Sequence, residues 1–401
     1  MIAGCRHSMR HAVPVTPTLD AACCSGYPDI LRLLISSGAD VHKVSIKGES
    51  SLFVASHEGH VSVAKVLLEN GAEVNQRTAS GASSLFASCR HGHLAIAKLL
   101  PSRGADMNQR TDEGATALYT ASDNGHVDIV RLLLETSADV NVKASDGSTA
   151  LCGSSRKGHV AIARLLLSTA HVDQTEMPLR IATTVGRLDL VELLLDHGAS
   201  LTSSDSLLHV ACETGNLAMA QLLLSRGNDV NKVDADGFAP LCIASHHGHL
   251  DLVDFLLKIS ARVNLATRDN VSPLHVASQE GHVAVARLLL SKGADVDQAA
   301  NLGLYGVTPL AAACFYGHVE VVKLLIGFGA DGNRLVFDGG TALDMARLCG
   351  HDAVVRALTT IRLFYDHLLV AGGGIEFREE VRTSKKCPRC CDRRRAGHRT
   401  A

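Results

Sequence analysis

A glycine returns along this chain at a nearly constant interval, and no other feature limits the fold so strongly. It stands at Gly26, Gly59, Gly92, Gly125, Gly158, Gly186, Gly215, Gly248, Gly281, Gly317 and Gly350, with spacings of 33, 33, 33, 33, 28, 29, 33, 33, 36 and 33 residues. Eight of these glycines are followed directly by histidine: His60, His93, His126, His159, His249, His282, His318 and His351. Seven residues before each stands a leucine, from Leu19 and Leu52 to Leu310 and Leu343, and a Leu-rich stretch such as VAKVLLENGAEVN comes after. Features that keep phase over so many copies mark one supersecondary unit repeated along the chain.

The local chemistry of a copy predicts helix, turn, helix and extended loop. SSLFVASHEGH reads as a short helix stopped at Gly59, because glycine takes the left-handed backbone that ends a helix at little cost. From Val61 to Glu69 apolar residues fall at 61, 63, 64, 66, 67 and 68, too broad a stripe for a one-sided helix and suited to burial between neighbours. A second glycine ends this helix at Gly38, Gly71, Gly104, Gly198, Gly227, Gly293 and Gly329, and a polar run such as Asn75 to Ser80 makes the turn. One unit cannot cover its own apolar faces, whereas stacked units cover one another.

Composition agrees with such an array. Apolar residues make up 46% of the 401, but aromatics only 3%, and Trp is absent, as many thin layers of Leu, Val and Ala require. A formal charge of −2 excludes a global field that would draw the chain to nucleic acid or membrane. There is no apolar run of membrane-spanning length and no signal-like apolar segment after the first residues. Most of the 12 cysteines occupy apolar helical positions, among them Cys89, Cys152, Cys212, Cys242 and Cys314, where a reduced thiol behaves as a small hydrophobe. The expected setting is reducing: cytoplasmic, with the nucleus open as an alternative.

With these residues in hand, the pattern resembles the ankyrin repeat, whose consensus runs TPLHxA, then GH, then LLLxxGAdvN. It is seen in SPLHVASQEGHVAVARLLLSKGADVD (272–297) and TPLAAACFYGHVEVVKLLIGFGADGN (308–333). The resemblance implies an all-α solenoid of about eleven stacked helix-turn-helix units with β-hairpin loops, on the order of 100 Å long at about 8–10 Å per layer. It divides the chain into a lead-in (1–16), the array (17–362) and a C-terminal segment (363–401) carrying a helix or linker and a basic, Cys-containing tail.

Breaks in the pattern carry their own expectations. The spacings of 28 and 29 shorten the loops around the unit at 177–201, so a junction is expected near 170–206, with harmless loop shortening as the alternative. The spacing of 36 lengthens the loop from Asp297 to Gly306 and is expected to expose Leu304 and Tyr305. Pro101 replaces the usual leucine late in a second helix, and Ser137 and Ser260 replace cap glycines, so those units are expected to be weakened.

No Ser, His and Asp set, no paired carboxylates, no phosphate-cradling loop and no HExxH run is found, and the flanks are too short for a catalytic domain, so the expectation is a non-enzyme without cofactors. The periodic histidines invite a metal reading, but equivalent atoms lie about 10 Å apart and one zinc binds each ligand at about 2 Å. They are read as bonding to backbone at the turns. The tail from 378 to 401 holds nine Lys or Arg against three acids. Within it Cys387, Cys390, Cys391 and His398 would supply four zinc ligands only awkwardly, since adjacent cysteines rarely point the same way. The segment reads as a disordered basic run, with zinc, redox use, nuclear import and phosphate contact left open.

The resemblance also implies where a partner binds: a concave face lined by the two residues before each periodic glycine and by the loop tips. Here those pairs are His57 and Glu58, Arg90 and His91, Asp123 and Asn124, Arg156 and Lys157, Thr184 and Val185, Glu213 and Thr214, His246 and His247, Gln279 and Glu280, and Phe315 and Tyr316. Phe315 and Tyr316, with Leu304 and Tyr305, are the expected hot spot, because aromatic anchors carry much of an interface's energy; shielding of the core is the alternative. The expected function is a noncatalytic scaffold, adaptor or inhibitor that binds another protein. Alternatives are a substrate adaptor of a ubiquitin ligase, or nucleic-acid or zinc binding through the tail.

Overall fold

The computed structural model describes residues 19–169, 175–200, 207–301, 306–336 and 339–360. A helix pair brackets each periodic glycine, as in Ser51–Glu58 with Val61–Glu69, or Pro309–Tyr316 with Val319–Gly327. The first helix of a pair starts where a hydroxyl can take an orphan backbone N–H: Ser50, Ser83, Thr116, Ser272 and Thr308 each accept from the amide three residues on. A cap of this kind contributes about 1 kcal/mol. Thr341 and Asp344 complete a reciprocal box at the start of Ala342–Leu348, and residues 352–360 form the helix after it.

Stacking follows from what each helix buries. First helices pack on first helices of the next unit, and second on second. The periodic leucine is fully buried from Leu52 to Leu310 and only half-buried at Leu19 and Leu343, which have a neighbouring unit on one side only among the described residues. Each such leucine contributes about 1.5–3 kcal/mol by leaving water. Within Val61–Glu69, Val63, Ala64, Val66 and Leu67 are buried while Ser62, Lys65 and Glu69 form an outer polar edge. The broad apolar stripe in the sequence thus reports contact with the preceding unit, the following unit and the partner helix together.

The exceptions have local causes. Pro101 ends the helix Leu94–Leu99 early and turns the chain into a short 3-10 turn, since its ring removes one amide and crowds the carbonyl one turn back. Ser137 and Ser260 are held left-handed, at φ 65° and 73°, where other units place glycine. The projecting loops form turns. Among the described residues there are isolated bridges, such as Val44 with Ser50, and no strand. Thr78 N–H donates to Ala82 O and Gly81 N–H to Thr78 O, both at 2.9 Å, which closes the loop on itself. Successive tips are then joined by single backbone bonds, Ala79 N–H to Lys47 O (2.8 Å), Asp112 N–H to Ser80 O (3.0 Å) and Ser145 N–H to Glu113 O (2.8 Å). One backbone bond joins each of these layers without building a ladder, and side chains add to it: Arg77 Nη2 donates to Asp112 Oδ1 at 3.0 Å and Arg110 Nη2 to Lys143 O at 2.8 Å.

Across 175–200 the helices Glu176–Val185 and Leu188–Asp196 keep their place in the stack, packing on the pairs before and after. The loop residues 170–174 and 201–206 lie outside the described residues, as do Leu304 and Tyr305 and everything after residue 360. Cys23, Cys89, Cys152, Cys212, Cys242 and Cys314 are buried free thiols, as apolar positions require. Burial pushes the thiols of Cys89, Cys212, Cys242 and Cys314 up to about 12. Cys24 departs from the reduced pattern: it is disulfide-bonded.

Candidate protein-binding face

The periodic Gly-His pair sets the geometry of one whole face. Each histidine sits at the start of a second helix and reaches back one layer with Nε2. His60 meets Cys24 O at 3.0 Å, His93 meets His57 O at 2.9 Å, and His126 meets Arg90 O at 3.2 Å. His282 and His351 do the same with His246 O and Phe315 O, both at 2.9 Å. A carbonyl can only accept, so Nε2 carries the proton and the tautomer is settled. Glycine is needed beneath each ring: a Cβ on Gly59 would stand 2.6 Å from the His93 ring.

Those bonds hold the ends of the first helices they reach in place, and the two residues before the glycine project from them. His57, Glu58, Arg90, His91, Arg156, Lys157, His246, His247, Glu280 and Tyr316 are exposed, Asn124 with them, while Asp123, Gln279 and Phe315 are half-buried. Neighbouring layers touch along this row. The His57 and His91 rings lie 4.2 Å apart between centroids, Arg156 reaches Asp123 at 3.8 Å, and His246 reaches Glu280 at 3.7 Å. Burial, then the nearby His57, Arg90 and His93, lower the pKa of His91. Burial, then His246 and His249, lower that of His247.

Phe315 and Tyr316 make an edge-on ring pair at 5.0 Å, but they do different things. Phe315 packs on the apolar core, and Tyr316 is 49% exposed. Arg187 and Asn216 stand where other units have the histidine. Arg187 still reaches back, donating to Gly158 O at 3.1 Å, whereas Asn216 turns to its own helix and caps Met219 N–H at 3.0 Å.

A further set of residues is not apparent from the periodic pairs. Six residues before the glycine, where His209 and His275 are buried, stand Phe53, Phe86 and Tyr119 in three consecutive layers. His209 Nε2 donates to Phe238 O at 2.8 Å and His275 is bonded to the backbone of Val307, so this position points at the next unit's loop. The three rings are half-buried and lie outside the core cluster. Phe53 stands 6.4 Å from the His57 ring, and the Tyr119 hydroxyl accepts from Arg156 at 3.2 Å. The signal available in the sequence was an aromatic residue three times at a 33-residue interval.

Among the described residues no group of three or more His, Cys, Asp or Glu is placed to hold a metal ion, and no helix is long and apolar enough to cross a membrane. The four tail residues Cys387, Cys390, Cys391 and His398 lie outside the described residues. What the fold and the row define is a helical repeat scaffold with a row of side chains along one face. The family model for ankyrin repeats matches residues 19–111, 52–144, 103–176, 139–205, 208–300 and 297–363, and the chain belongs to that family. No curated protein matches the chain. Ankyrin repeats are generally protein–protein interaction modules, and their fold is typically a noncatalytic scaffold.

Proposed function

We propose that this chain is a noncatalytic interaction module that binds a partner protein along the ends of its first helices. The observation that carries the reading is the abrupt change within each of those helices. In Ser84–His91, Leu85, Ala87, Ser88 and Cys89 are buried, and Arg90 and His91 are then exposed. Repeated layer by layer, this leaves a row of His, Arg, Lys, Glu and amide side chains on a rigid support, with Tyr316 as its aromatic end. A rigid support limits the side-chain ordering that association costs, and mixed charge favours a polar partner through complementarity.

The test places a photo-crosslinking phenylalanine analogue at Arg90, at Tyr316, or at Lys65 on the outer polar edge. Irradiation in native extract is expected to join the same polypeptide to the first two positions and to leave Lys65 without it. Equal capture of that polypeptide from Lys65, or different products from Arg90 and Tyr316, would overturn the proposal.

A further inference from the structure

The row accounts for the exposed pairs but not for Phe53, Phe86 and Tyr119. A ring at a position where His209 and His275 are buried gives up the backbone bond those histidines make. Three such exchanges in consecutive layers leave half-buried aromatic surface in the corner between first helices and loops. We infer that this strip is a docking groove for a proline-rich segment of the partner in the polyproline II conformation. The inference rests on the binding face proposed above and names what that face takes.

Spacing is the first argument. Successive layers put equivalent side chains about 10 Å apart. A polyproline II chain rises about 3.1 Å per residue with three residues per turn, so every third residue returns to the same side after about 9.3 Å. A β-strand sends its third residue to the opposite side. An α-helix returns after seven residues, at about 10.5 Å, so spacing alone does not separate it from polyproline II.

The rim makes that separation. A polyproline II backbone has no internal hydrogen bonds and presents all its carbonyls, whereas a helix has used its carbonyls except in the last turn. At the ends of first helices in the same stretch of the stack stand the donors Arg90, His91, Arg156 and Lys157, all exposed. Arg156 already donates to the Tyr119 hydroxyl, which turns the third ring and its cation into one unit. Glu58 lies 3.0 Å from His57 and Asp123 lies 3.8 Å from Arg156, while Arg90 and Lys157 have no ion pair among the described residues. The groove therefore favours acidic residues between the prolines: prolines on the rings, carboxylates toward Arg90 and Lys157.

The probe is a fluorescein-labelled peptide of four Pro-Pro-Glu repeats, titrated with the full chain and read by anisotropy. Comparison peptides are four Gly-Gly-Glu repeats, with the same charge but no preformed helix, and an α-helical peptide with apolar residues at every seventh position. Phe86→His and Tyr119→His install the residue the fold already accepts at His209 and His275, and circular dichroism and melting check that each variant folds. Saturable binding of the proline peptide, weakened about tenfold or more in each folded variant and absent for the glycine peptide, is the expected result. Equal binding of the glycine peptide, affinity unchanged in both folded variants, preference for the helical peptide, or no saturable binding would each overturn the polyproline assignment. If those failures come while crosslinks from Arg90 and Tyr316 still converge on one polypeptide, the binding face stands and only its proposed occupant falls.

Discussion

At the residue scale the Gly-His pair does two jobs that a sequence pattern shows as one. The glycine supplies a left-handed turn, and it also leaves room for the next unit's imidazole. Gly71 and Gly92 separate these jobs, since both are left-handed, at φ 83° and 79°. A Cβ on Gly71 meets nothing within 4 Å, whereas on Gly92 it stands 2.7 Å from the His126 ring. Gly71→Ala is expected to cost about 1–2 kcal/mol from backbone alone. Gly92→Ala should cost clearly more and also displace the His126 bond. Urea denaturation of the two variants checks the order, and equal losses would mean that the ring does not enforce glycine.

Histidine inside the stack has a different consequence. Burial pushes the pKa of His275 down from 6.5 to about 4, against the opposing pull of its bond to the Val307 backbone. The native state therefore keeps this ring neutral while the unfolded chain takes the proton. The stability it supports is present in full above pH 6.5 and is lost as pH falls through 4. Between pH 7 and 5 the loss is about 2 kcal/mol. A neutral His275→Gln variant, whatever its starting stability, is expected to lose correspondingly less over that interval; parallel pH profiles would refute the assignment. His209 is lowered in the same direction, again chiefly by burial.

At the scale of the helix pair, the weak point is where the reach-back bonds change character. From His60 to His159 every layer has one, and from His249 to His351 the series resumes. Between them Arg187 makes a substitute bond and Asn216 makes none to the preceding layer among the described residues. We propose that this is the junction expected from the shortened loops near 170–206. Amide hydrogen exchange should be faster in Glu176–Val185 and Leu207–Glu213 than in Ala117–Asn124 or Pro273–Gln279, because local opening there breaks fewer bonds between layers. Uniform protection along the array would leave no junction.

At the scale of the molecule, much of the architecture was legible because a repeat unit cannot bury itself. The phase of Gly, Leu and His determines the helix boundaries, the stacking and the surface position of pairs such as Arg90 and His91, since each depends on neighbours that obey the same rule. The periodicity did not foresee the bonded state of Cys24, because pairing depends on proximity and not on phase. Nor could the phase reveal that Phe315 is anchored in the core while Tyr316 is offered to solvent, a difference made by where the following layer packs. The sequence by itself determined the unit, its direction of stacking and the residues that edge the face. Only the tertiary structure decided which carbonyl each histidine finds, 36 residues back in most layers. It also decided that three aromatic rings stay outside the core, half-buried, because exposure belongs to the contact between layers and to no residue alone.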